Sequence, residues 1–112
     1  MTFSAILEIE EPTATITLEG ALDASTAPIF KAEVEKAIAT ENVKNLVLEM
    51  EKLEYMASAG LRVLLFATQK KGKDIDKIYV VNPQEGVLET LEKTGVIQSL
   101  EVVDDLKEIE KV

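Results

Sequence analysis

Asn45-Leu46-Val47-Leu48-Glu49-Met50 leads through Glu51-Lys52-Leu53-Glu54 into Tyr55-Met56-Ala57-Ser58-Ala59-Gly60-Leu61-Arg62-Val63-Leu64-Leu65. The first run reads as a strand. Its Leu46, Val47 and Leu48 are consecutive, as expected when both faces of a strand are covered. The last run reads as a helix opened by small residues. Ser58 suits the N-cap, where its hydroxyl accepts from the N–H of Gly60 or Leu61. Ala59 and Gly60 keep the helix mouth free of bulk. Leu61, Leu64 and Leu65 recur at i, i+3, i+4 and define a buried face. Lys70, Lys71 and Lys73 crowd the far end, where cations suit the helix dipole, and Gly72 reads as the residue just past it. An accessible hydroxyl then stands at the positive end of an anchored helix. A phosphate there would bring about −1.5 to −2 charge to free N–H groups. The plain alternative is a serine that only caps its helix.

Upstream, Phe3 to Glu10 alternates in part, with Phe3, Ala5, Leu7 and Ile9 on one face. Glu11-Pro12 breaks the run. In Thr13 to Glu19, Ala14, Ile16 and Leu18 alternate with threonines, so the two runs predict an antiparallel hairpin. Gly20-Ala21-Leu22-Asp23-Ala24-Ser25 reads as a loop. Ser25 or Thr26 caps the next helix, Pro28 fits its first turn, and it runs to about Thr40. Phe30, Val34, Ala37 and Ile38 form its apolar stripe, with Lys31 and Glu35 paired outside.

Downstream, Ile75 to Val81 predicts a strand. Asn82-Pro83-Gln84-Glu85 resembles a capping box, with Asn82 as cap, opening a helix with Val87, Leu88 and Leu91 inward. Lys93 and Gly95 close it. Gly86 in its first turns suggests a close approach. Val96-Ile97 and Leu100-Glu101-Val102-Val103 predict a last short strand. Asp104-Asp105 starts a final helix carrying Leu106 and Ile109. The order β-β-α-β-α-β-α-β-α predicts one α/β domain over residues 1–112. Its sheet is mixed and largely parallel, with about four helices and right-handed crossovers.

The length of 112 residues fits one domain, and 46% apolar residues argue against disorder. A net charge of −9 disfavours nucleic acid and anionic membrane surfaces. It favours a basic protein patch as partner. With no cysteine and no histidine, thiol catalysis, a Ser-His-Asp site and zinc sites rich in imidazole or thiolate are excluded. No phosphate loop or dinucleotide fingerprint occurs. Met1-Thr2-Phe3-Ser4 lacks a signal-peptide pattern, and no segment approaches the ~20 apolar residues of a spanning helix. We expect a cytoplasmic monomer that needs no cofactor and no metal.

Asp23 follows a strand end, and Ser58 lies just beyond the next strand. Ligands meet loops at that edge of parallel sheets. The plain reading of Asp23 is turn chemistry, since Asp bonds the backbone two residues on. Leu22, Ala24, Met56 and Leu61 form an apolar rim around Ser58, against the alternative of core packing, which is the better reading for Leu61. Arg62 follows one turn later, as a solvated charge, a contact for an acidic partner group, or a partner for a phosphate on Ser58. Glu49, Glu51 and Glu54 read as solvated. An enzyme built on Asp23 and Ser58 finds no supporting base.

Tyr55-Met56-Ala57-Ser58-Ala59-Gly60-Leu61-Arg62-Val63-Leu64-Leu65 resembles the signature of the STAS domain, specifically the bacterial anti-sigma factor antagonists. Gly20-Ala21-Leu22-Asp23 resembles that family's Gly-x-Leu/Ile-Asp element, and the likeness covers nearly the whole chain. It implies a phosphorylation-switched protein-binding module with Ser58 as acceptor. The implied partner is a serine kinase that is also the anti-sigma factor and binds the ATP itself. Binding releases the sigma factor and so regulates transcription, and a serine phosphatase resets the switch. The partner surface implied comprises Leu22, Asp23, Ala24, Met56, Ala57, Ser58, Ala59, Gly60 and Arg62. Many members carry Asp or Ser where this chain has Ala57; Ala59 is shared by some. A non-phosphorylated scaffold subunit of a larger complex, such as a lipid-transport or stress-signalling assembly, is the alternative.

Overall fold

A computed structural model describes residues 2–105. The chain forms β1 (Phe3–Glu10), β2 (Thr13–Leu22), α1 (Ala27–Ala39), β3 (Asn45–Met56), α2 (Ser58–Thr68), β4 (Lys77–Val81) and α3 (Glu85–Lys93). A short 3-10 helix (Val96–Ser99) and β5 (Glu101–Val103) follow. The five strands lie in one sheet in the order β1-β2-β3-β4-β5. The first pair is antiparallel and the other three are parallel. The mixed, largely parallel α/β sheet is as the sequence predicts. Three α-helices and the 3-10 turn stand among the described residues; the expected final helix with Leu106 and Ile109 lies outside them.

Strand periodicity sets the layers. Alternate residues of β2 (Ala14, Ile16, Leu18), β3 (Leu46, Leu48, Met50) and β4 (Ile78, Val80) face one way. They pack against Phe30, Val34 and Ala37 of α1, Val63, Leu64 and Ala67 of α2, and Val87 and Leu91 of α3. The helices therefore share one face of the sheet. On the opposite face Val47, Tyr79 and Val81 form a second, small cluster with Val103 against it, so β3 is apolar on both sides as its sequence suggested. Beside that cluster the face turns polar, with Thr13, Thr15, Thr17, Glu8, Glu10 and Glu49 lining a groove.

Several boundaries differ from expectation, each for a physical reason. β2 continues through Gly20, Ala21 and Leu22, and β3 runs on through Glu51-Lys52-Leu53-Glu54, both read as loop. These halves pair from Glu19↔Lys52 to Leu22↔Met56, with one register shift just before Glu19 and a second between Gly20 and Ala21. The shifts break the alternation that identifies a strand: Leu53 and Met56 are the buried residues, three apart. β4 pairs with β3 only up to Glu49, so the second half of β3 has one bare side and a polar sequence. Side chains partly replace the missing neighbour there. Asn82 Nδ2 donates to Glu51 Oε2 (3.1 Å) and Gln84 Nε2 to the Glu51 carbonyl (2.9 Å).

Asn82 does not cap α3. It is left-handed (φ 50°), and its N–H donates to Val103 O (2.8 Å), so the cap position falls to Gln84. α2 ends at Thr68 and not near Lys71-Gly72, and β4 starts at Lys77, with Ile75 making only an isolated bridge to Lys71. Val96-Ile97 begin the 3-10 helix instead of a strand, because Gly95 enters it with φ 78°. Gly86 faces open space, not a close approach. Lys31 does not pair with Glu35; the ion pair on α1 is Lys36–Glu33 at 2.9 Å.

Candidate functional site

β2 and β3 end side by side, since Leu22 pairs with Met56 and Ala57 N–H donates to the Leu22 carbonyl at 2.8 Å. The chain leaves one strand at Asp23 and the other at Ala57. Both turns therefore open on one rim, at the carboxyl ends of parallel strands, where ligands usually meet loops.

At Ala57 the backbone is extended (φ −88°, ψ 174°), and helical geometry starts at Ser58. The N–H groups of Gly60 and Leu61 donate to the Ala57 carbonyl at 3.0 and 3.2 Å. The N-cap is therefore Ala57, which has no side-chain acceptor, and Ser58 is the first helical residue. This corrects the reading of Ser58 as the cap. Its side chain is exposed and makes no hydrogen bond to any other described residue. The first backbone amides of such a helix lack intrahelical partners and point the same way as the dipole's positive end.

Asp23 does what the plain reading held. Its Oδ1 accepts from Ser25 Oγ (2.7 Å), Ser25 N–H (3.0 Å), Thr26 N–H (3.2 Å) and Thr26 Oγ1 (3.2 Å). Thr26 Oγ1 in turn accepts Asp23 N–H and lies 2.9 Å from the Ala21 carbonyl, to which it can also donate. The Ser25 hydroxyl is the main cause that holds the Asp23 carboxyl below its usual value, helped by the Ser25 and Thr26 donors. The carboxylate thus shapes the loop that faces Ser58.

The expected rim divides by burial. Leu22, Met56 and Gly60 are buried, so the first two belong to the core and not to a contact surface. Their place is structural: Gly60 lays its bare Cα directly on Leu22 and Met56, seating the start of α2 on the strand ends. Asp23, Ala57, Ala59 and Leu61 are half-buried, the last packed against the core. Ala24, Ser58 and Arg62 are exposed.

Exposed apolar groups near this rim went unnoticed in the sequence. Tyr55 is 53% and Leu65 48% exposed. The i, i+3, i+4 spacing puts Leu65 on the buried face, but that face is Gly60, Val63, Leu64 and Ala67. Counting from Gly60 at i+3, i+4, i+7 would have found it. Glu49 lies on the polar sheet face, away from this rim. Burial pushes its carboxyl up, with Glu51 and Asp105 adding to the rise. Among the described residues no group of His, Cys, Asp and Glu is placed to hold a metal ion, and no helix is long and apolar enough to cross a membrane.

A family model described as STAS domain matches residues 4–109. Solved structures share the fold. An anti-sigma factor antagonist from Mycobacterium paratuberculosis matches with TM-score 0.84 at 20% identity, over 96% of this chain and 90% of that one. The unphosphorylated form of the anti-sigma factor antagonist SpoIIAA matches with TM-score 0.83 at 21% identity, over 96% and 95%. The phosphorylated form of the Bacillus cell fate determinant SpoIIAA matches with TM-score 0.74 at 20% identity, over 96% and 98%. At these identities the likeness is one of fold.

Proposed function

The chain belongs to the STAS domain family, and from that premise we propose that it is an anti-sigma factor antagonist whose binding surface is switched at Ser58. The observation that carries this reading is the state of Ser58. It occupies the phospho-acceptor position that the family motif implies, its hydroxyl is exposed, and that hydroxyl has no structural task in the helix.

The unphosphorylated rim of Ala24, Ser58 and Arg62, on the Asp23 turn and the Ala57-Ser58-Ala59 helix start, meets an anti-sigma factor that is also a serine kinase. Binding releases the sigma factor, which then directs transcription in the cytoplasm. In the transfer step Ser58 Oγ attacks the γ-phosphorus of ATP held by the kinase. The new O–P bond forms as the bond to ADP breaks, and the hydroxyl proton passes to a base of the kinase. This chain has no histidine or cysteine to act as that base, so it is acceptor and not catalyst. The product carries a dianion on a surface that had packed against the partner. Repulsion and desolvation then weaken the complex without any change of fold. A serine phosphatase restores the hydroxyl.

The test is affinity capture from native lysate with wild type and Ser58→Asp, read by mass spectrometry. Wild type retains an ATP-binding serine kinase and the Asp variant loses it. Retention of one and the same non-kinase partner by both would replace the switch with a scaffold role in a larger assembly, a reading that Ala57 in place of a polar neighbour favours.

A further inference from the structure

The chain's charge is unevenly distributed. From Tyr55 to Lys73 there is no carboxylate, while Arg62, Lys70, Lys71 and Lys73 are present, in a chain of net charge −9. On α2 and its C-cap the exposed positions Ser58, Arg62, Leu65 and Gln69 line up at i, i+4, i+7, i+11. Phe66, half-buried, lies one turn after Arg62. Its ring is approached by two ammonium groups, Lys70 Nζ at 5.5 Å and Lys31 Nζ of α1 at 5.1 Å.

Neither lysine has an ion-pair partner among the described residues; Glu33 is taken by Lys36. Glu35, one turn after Lys31 on α1, is exposed and unpaired with it. The ring attracts each cation, but two like charges beside one ring also repel each other. An incoming carboxylate relieves that repulsion, and Leu65 on the exposed line of the same helix offers an apolar contact.

Resting on the reading of Ser58 as a switched surface, we infer that the stripe from Ser58 through Arg62 and Leu65 to Phe66, Lys31 and Lys70 docks an acidic amphipathic segment of the partner protein. Carboxylates of that segment meet Arg62, Lys31 and Lys70, and an apolar side chain meets Leu65. The local charge is thus opposite to what the composition suggests, and the expected partner patch is acidic where it touches α2. The switch gains its logic from this sign. A phosphate on Ser58 stands one turn from Arg62, cancels its charge, and turns the end of the stripe against an acidic partner.

The probe is a helical peptide with glutamates and leucines on one face, beside a version with lysine for each glutamate and a single-stranded oligonucleotide. Each is titrated into the ¹⁵N-labelled protein at low and at physiological salt. The acidic peptide shifts amides of Ser58–Lys70 and of the turn around Lys31, and binds more weakly as salt rises. Lys31→Glu with Lys70→Glu weakens it by roughly tenfold, and Lys31→Gln with Lys70→Gln by less. The inference is overturned if the basic peptide or the oligonucleotide takes the stripe more tightly, if the shifts fall elsewhere, or if charge reversal changes nothing. A kinase that is lost on Ser58→Asp yet retained by the lysine-reversed protein removes this inference and leaves the switch standing.

Discussion

A Cβ placed on Gly60 would lie 2.7 Å from the Leu22 side chain and 3.1 Å from that of Met56. Leu22 is fully buried and has nowhere to move. Two effects compete on substitution. Alanine gains about 1 kcal/mol over glycine in a helix, while overpacking a filled core costs about 1–3 kcal/mol. The second wins here, so Gly60→Ala lowers the free energy of urea unfolding by about 1–2 kcal/mol. In a Leu22→Ala background the same change becomes neutral or stabilising. Equal effects in both backgrounds would disprove the contact.

Because the cap position of α2 holds Ala57, the helix start has a vacancy for an acceptor. Ala57→Ser stabilises the protein by about 0.5–1 kcal/mol in chemical denaturation. Ser58→Ala, which removes no cap, changes stability by less than about 0.5 kcal/mol. A cost above about 1 kcal/mol for Ser58→Ala would show that the hydroxyl caps after all.

Asp23 is an acid held below the ordinary value of 3.8 by the donors of Ser25 and Thr26. Its contribution to stability is therefore complete above the unfolded value and disappears as pH falls through the lower folded value. Asp23→Ala lowers the urea midpoint at pH 7, and the gap to wild type narrows as pH drops below about 3.8. A gap that is unchanged at pH 2.5 would mean that the loop needs the side chain's shape and not its charge.

Glu49 has the opposite sign. Burial raises its carboxyl above the ordinary value of 4.5, so its charged form opposes folding once pH rises past that value, and fully above the folded one. The group is half-buried at the edge of a polar groove, so solvent screening keeps the effect small. Glu49→Gln stabilises by less than about 1 kcal/mol at pH 7 and by nothing at pH 3. Thermal melts of the two proteins at both pH values decide the matter.

Much of the fold is legible where one period rules a segment. Ala14, Ile16 and Leu18, or Phe30, Val34 and Ala37, announce their faces because every residue in the run obeys the same spacing. Legibility fails where tertiary pairing interrupts the period. The bulged ladder at Glu19–Leu22 and Lys52–Met56 puts Leu53 and Met56 three apart, and no local signal marks it. In α2 the miss is of another kind: the buried period starts at Gly60, a residue with no side chain to announce it, so the cap is Ala57 rather than Ser58 and Leu65 is at the surface. The rim of Asp23 and Ser58 was readable as two strand exits, but which of its members touch solvent was not.

Because the strands follow one another across the sheet in chain order, successive crossovers all advance the same way. A sheet whose order never reverses has no switch point, and so lacks the crevice in which doubly wound proteins hold a nucleotide. The helices lie together on one side, so the loops at the strand ends form an outward-facing rim. Such a surface is suited to being read by another macromolecule.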